Sequence, residues 1–116
     1  MQEPVKTGAH ELSAEATLEP DSLWFDGHFP GMPILPGIAQ LAIVSDILKW
    51  SAKQQGSPVM IAALTRVRFR QFIRPGDTVS VIITQDAHDP SAFRFRIVSN
   101  GQAACNGTAR TAPPAA

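Results

Sequence analysis

Hydrophobic spacing divides the chain into one helix and a series of strands. Leu12, Ala14, Ala16 and Leu18 share one parity within residues 10–19, the period-2 pattern of a strand buried on one side. Pro20-Asp21-Ser22 breaks that pattern. Between Gly27 and Gly37 the prolines withhold amide donors and turn the residues before them away from helical geometry. Gly37 opens a helix predicted over Ile38 to about Lys53, free of glycine and proline. Ile38, Leu41, Ala42, Ser45 and Leu48 are expected to form its apolar face. Ile43, Ile47 and Trp50 widen that face until the helix is covered nearly all round. The stretch from Gln54 to Pro58 supplies the stop.

Strands follow. Ile61, Ala63, Thr65, Val67 and Phe69 alternate with Leu64, Arg66, Arg68 and Arg70 in a long one, and Arg74-Pro75-Gly76-Asp77 is a turn. Val79, Val81 and Ile83 form the next, bounded by His88-Asp89-Pro90. Phe93, Phe95 and Ile97 alternate with Arg94 and Arg96 in another. Asn100-Gly101 marks a tight hairpin into a last strand through Ala103, Cys105, Gly107 and Ala109. This order predicts an α+β fold, an antiparallel sheet wrapped around one long central helix. Such a sheet keeps an unpaired edge, which pairing of two copies would cover. No repeat or second domain is visible, so residues 1–116 are read as one domain with an Ala/Pro tail from about 112.

Composition narrows the function. A chain of 116 residues has no room for a separate cofactor module, and its small core would gain from oligomerisation. Ten basic against ten acidic residues leave no net charge, which argues against a nucleic-acid partner. The single cysteine, Cys105, excludes an internal disulfide and a cysteine-cluster metal site. Met1 to Ala16 is polar and mixed in charge, so no signal peptide is expected, and no apolar run is long enough for a membrane span. The expectation is a soluble cytoplasmic domain. His10 and His88 near strand ends are read as solvated, and their spacing from His28 gives no metal site.

Candidate chemistry concentrates in residues 25–38. His28 stands in a stiff loop of Pro30, Pro33 and Pro36 directly before the helix. Rigid loops hold catalytic groups to the fraction of an ångström that rate requires, and imidazole exchanges protons near neutrality. The free amides at the helix start, Gly37 and Ile38, could hold a developing oxyanion. The alternative is that His28 caps a turn and the prolines only stiffen it.

The run Gly27-His28-Phe29-Pro30-Gly31-Met32-Pro33-Ile34-Leu35-Pro36-Gly37-Ile38 closely resembles the signature of the FabA/FabZ-type 3-hydroxyacyl-(acyl-carrier-protein) dehydratases, which have the hotdog fold. Arg68-Phe69-Arg70 followed by Pro75-Gly76-Asp77 is similar to that family's strand and turn. The resemblance covers roughly residues 10 to 110. It implies dehydration of a 3-hydroxyacyl thioester, carried by acyl carrier protein or coenzyme A, to a trans-2-enoyl thioester without a cofactor. His28 would take the C2 proton and the Gly37 amide would bind the thioester carbonyl. Phe29, Pro36, Ile38, Leu41 and Ala42 would line the substrate's path, and Arg68 and Arg70 would meet the carrier. Active sites in the family lie at a dimer interface, with histidine and carboxylate from different subunits.

One position departs. The family's helix carboxylate falls at Ala42, which has no proton to give. Asp46, one turn further along the same face, is the candidate substitute acid; its alternative is a surface pair with Lys49 or Lys53. Ser45 and Gln40 could only orient water. Thioester hydrolysis with His28 as base, or a binding subunit whose partner supplies the acid, are the competing readings. A branch of the dehydratases associated with specialised lipid, polyketide or aryl-polyene pathways carries similar sequence without the glutamate, and Gln40-Leu41 fits it. Arg66, Arg68, Arg70 and Arg74 are read as one basic row, suited either to solvent or to an acidic carrier.

Overall fold

The structure, a computed structural model, describes residues 4–8, 10–17, 37–74 and 76–114. Its elements run β1 (Val5–Gly8), β2 (Glu11–Thr17), α1 (Gly37–Gln54), β3 (Met60–Phe69), β4 (Thr78–Gln85), β5 (Ala92–Ser99) and β6 (Gln102–Ala112). The six strands make one antiparallel sheet in the order β1-β2-β4-β5-β6-β3. This is the hotdog arrangement that the sequence led us to expect. Alternation sets the inner face. Val79, Val81 and Ile83 of β4 and Phe95 and Ile97 of β5 are buried, and they pack with Val44, Ile47 and Leu48 of α1. Full burial of each such side chain is worth about 1.5–3 kcal/mol.

Local chemistry ends the elements where the sequence predicted. Gly56 takes a left-handed φ of 76° after α1. The Ser57 amide then donates to Ala52 O at 3.0 Å and the Gly56 amide to Lys53 O at 3.0 Å, a pair that caps the last helical carbonyls. Asn100 and Gly101 both have positive φ, 54° and 77°, as a two-residue hairpin between twisted strands requires. At the Arg74–Asp77 turn the Asp77 carboxylate accepts from the Arg74 amide at 2.8 Å.

Three features differ from the sequence reading. β1 was not anticipated: all four of its residues are exposed, so it has no hydrophobic period and exists only by pairing with β2. The helix is rotated. Its buried residues are Ala39, Gln40, Val44, Ile47 and Leu48, whereas Ile38 is 74% exposed. Of the expected face, Leu48 is buried and Leu41 packs against the core, while Ala42 and Ser45 are only half-buried on the flank that leads to exposed Ile38, because a helix apolar nearly all round leaves its orientation to the sheet. Strict alternation fails in β3. Register shifts between Ile61 and Ala63 and between Thr65 and Arg68 each insert one residue, and Arg66 sits at φ 55° in the second. An inserted residue moves the following side chains to the other face. Thr65 therefore pairs with Thr108, and Leu64 pairs with the buried Ala109.

Candidate active site

Gly37 and Phe69, one residue from each motif block of the sequence, meet at the start of α1. Gly37 is its first residue, and the first amides of a helix have no acceptor within the helix. The far end of the Phe69 ring, at the end of β3, approaches Gly37 closely. A Cβ there would sit 2.7 Å from Phe69 Cζ and 3.0 Å from Cε1. Glycine is needed at position 37 for this approach, since its φ calls for nothing special. The bulge at Arg66 makes the contact possible by returning Phe69 to the helix side, opposite the buried Cys105.

Ala42 lies on the outward flank of α1, between exposed Ile38 and exposed Asp46 and Lys49. Leu41 and Ser45 are half-buried beside it. Asp46 follows by four residues, about 6 Å along the axis. The surface pair with Lys49 or Lys53 is not made: among the described residues the ion pair present is Arg110–Asp89, 2.7 Å. Gln40 sits about 160° around the helix from Ala42 and is 3% exposed. Its buried Oε1 finds no hydrogen-bond partner among the described residues. From the buried side it cannot orient water at position 42. His28, Phe29 and Pro36 lie outside the described residues.

The basic row also divides. Arg68 pairs with Asn106, Asn106 with Arg96, and Thr108 with both Arg94 and Thr65. These pairings place Arg66, Arg68, Arg94 and Arg96 around one open groove of about 610 Å³ on the outer face, with Glu11 its one lining carboxylate among the described residues. None of the four arginines has an ion-pair partner among the described residues. Arg70 lies beyond β3, its amide donating to Ala104 O at 2.8 Å, and it does not line the groove. The sequence reading missed Arg94 and Arg96 as members. Their alternation with Phe93 and Phe95 showed that they face outward; only the strand order showed which arginines they face outward with.

Other titrating groups serve structure. Cys105 is fully buried, and burial pushes its thiol up to about 11. The Asp89 carboxyl is held down at about 2, chiefly by the Ser91 hydroxyl and then by Arg110. Its Oδ1 accepts from Ser91 Oγ at 2.7 Å and its Oδ2 from Arg110 Nη1 at 2.7 Å. The described residues hold no cluster of three or more His, Cys, Asp or Glu fit for a metal. No helix among them is long and apolar enough to cross a membrane.

Residues 4–108 match the ApeI-like family, described as ApeI dehydratase. The chain belongs to that family. Within this ApeI-like chain, 64 residues are 39% identical to FabZ of Levilactobacillus brevis, a 3-hydroxyacyl-(acyl-carrier-protein) dehydratase, covering 52% of this chain and 43% of that protein. The chain spans about half the length of the curated relatives it matches. Among solved structures, the dehydratase heterocomplex ApeI:P from Xenorhabdus doucetiae superposes with a TM-score of 0.78 at 27% identity, covering 93% of this chain and 92% of that one. PaaI of E. coli, from the phenylacetic acid degradation operon, superposes at 0.69 with 13% identity, covering 93% and 81%; that likeness shows the shared fold.

Proposed function

We propose that this ApeI-like chain dehydrates 3-hydroxyacyl thioesters, on acyl carrier protein or coenzyme A, to trans-2-enoyl thioesters. The observation that carries the reading is the junction of Gly37 and Phe69, where one residue from each of the two motif blocks that resemble the dehydratases meets at the free amides of α1. In this mechanism the thioester oxygen accepts from the Gly37 amide while His28 removes the C2 proton. Electrons move toward the carbonyl, and a dipole fixed in place stabilises the enolate without reorganising. An acid then protonates the C3 hydroxyl, which leaves as water.

The source of that acid separates two forms of the reading. In the first, Asp46 supplies it from one turn beyond Ala42. In the second, a second chain supplies it, and one observation favours this form: the resemblance to a dehydratase heterocomplex. A partner subunit would dock at the edge of the sheet. Met60, Leu64 and Phe69 of the edge strand β3 are exposed, as are Phe72 beyond it and Ile38 of α1. Pairing there with a second copy, or with a related chain, would cover this surface. The groove of four arginines suits the acidic surface of a carrier, because clustered guanidinium groups repel a copy of themselves and attract carboxylates.

The test uses 3-hydroxybutyryl and crotonyl thioesters. Absorbance of the conjugated enoyl group reports dehydration, and free thiol reports hydrolysis. Activity absent from His28→Ala supports the reading; release of thiol without enoyl product replaces it with hydrolysis. Ala42→Glu and Asp46→Asn then locate the acid. If the acid comes from another chain, Ala42→Glu raises the turnover of this chain alone by about 100-fold or more, the usual worth of a placed general acid, and Asp46→Asn has no effect. If Asp46 serves, Asp46→Asn removes turnover by a similar factor.

A further inference from the structure

At the end of α1 remote from Gly37, a cavity of about 230 Å³ opens between the helix and the sheet. Its lining begins at Leu48, eleven residues after Gly37, or about 16 Å along the axis. Leu48 and Ile83, 3% and 1% exposed, and the partly buried Phe93 form an apolar floor. Lys6 of β1 and His10 at the start of β2 stand at the exposed rim. Packed interiors leave few voids larger than a water molecule, and this one is larger than the roughly 150 Å³ cavity that holds benzene.

From this arrangement we infer a second binding site, for a small carboxylate with an apolar body of about six carbons. The inference stands on the cavity and is independent of the dehydration reading. Apolar atoms of the ligand cover the Leu48, Ile83 and Phe93 surface, and its carboxylate meets Lys6 and His10. Lys6 has no ion-pair partner among the described residues. Among the described residues the one carboxylate of the lining is that of Glu11, whose Oε2 accepts from the Thr7 hydroxyl at 2.6 Å. Two of the C-terminal carbonyls of α1, Lys53 O and Ala52 O, accept from the Gly56 and Ser57 amides. Residues of β2, β4, β5, β6 and α1 shape the cavity, and Lys6 of β1, a strand that buries none of its own side chains, contributes a positive charge.

Hexanoate is the probe and 1-hexanol its uncharged counterpart, each titrated into the full chain while amide resonances are followed by NMR. Hexanoate is expected to shift His10, Ser51 and Phe93, and to bind more tightly than 1-hexanol. Lys6→Gln, an exposed change that leaves the core untouched, is expected to weaken hexanoate by about fivefold, the upper worth of an exposed ion pair, and to leave 1-hexanol unchanged. Ser51→Phe, which fills the cavity from the helix, abolishes both. Shifts confined to Gly37, Ile38 and Ala42 assign the probe to the acyl path and overturn the proposal. So does the absence of shifts, or an affinity indifferent to Lys6 and to the carboxylate.

Discussion

Replacing Gly37 by alanine tests the junction on which the site is built. The new Cβ would stand 2.7 Å from Phe69 Cζ, 3.0 Å from Cε1 and 3.2 Å from Cε2, where carbon atoms normally rest about 3.5–4.0 Å apart. The ring must retreat by roughly 1 Å. It has room to do so, because Phe69 is 52% exposed. Losing its half-buried contact costs about 1 kcal/mol, half of what full burial of a phenylalanine gives. Alanine's better helix propensity returns up to about 1 kcal/mol. Gly37→Ala alone is therefore expected to change stability by less than about 1 kcal/mol. The contact shows itself in coupling. Phe69→Ala costs about 1 kcal/mol beside glycine and little beside alanine, where the ring has already left. Urea unfolding of the wild type, both single variants and the double variant, at one protein concentration, gives the cycle. Additivity within about 0.3–0.5 kcal/mol would refute the contact, and with it the account of why position 37 is glycine.

Three further outcomes follow from the same geometry. Gly107→Ala brings a Cβ to 2.7 Å from the ring of Phe95 and 3.2 Å from the Val67 backbone. Phe95 is 2% exposed and cannot swing away, so urea unfolding should show a loss near the upper end of the roughly 1–3 kcal/mol for overpacking. Cys105 should resist thiol reagents in the native protein at neutral pH and react on unfolding. Its raised pKa makes it a source of stability that is complete below the unfolded value of 9.0 and is lost as pH rises toward about 11. Cys105→Ala should remove that alkaline slope from thermal melts. Asp89 has the opposite sign: its depressed pKa gives stability present above the ordinary value of 3.8 and lost as pH falls through about 2. Asp89→Asn should flatten the acid limb of the melting curve between those values, and an unchanged limb would rule out the Ser91 and Arg110 contacts as its origin.

Local chemistry was legible where one residue type decides one conformation. The bounds of α1, the turns at Arg74–Asp77 and Asn100-Gly101, and the inward residues of β4 and β5 follow from glycine, proline and period-2 spacing within a few residues. The motif blocks pointed to the dehydratase family before any contact was known, and the alanine at position 42 is a fact of the sequence. At the site, sequence named Gly37 and Phe69 separately; their contact belongs to the fold. Non-local pairing decided the rest. β1 carries no hydrophobic period and is a strand only because β2 offers it partners. The bulges of β3 come from matching its register to β6, and they turn Thr65 outward and Phe69 toward the helix. Arg94 and Arg96 join Arg66 and Arg68 because β6 lies between β5 and β3. Sequence period records which side of its own strand a residue occupies, whereas its neighbours across the sheet depend on hydrogen bonds between segments far apart in the chain.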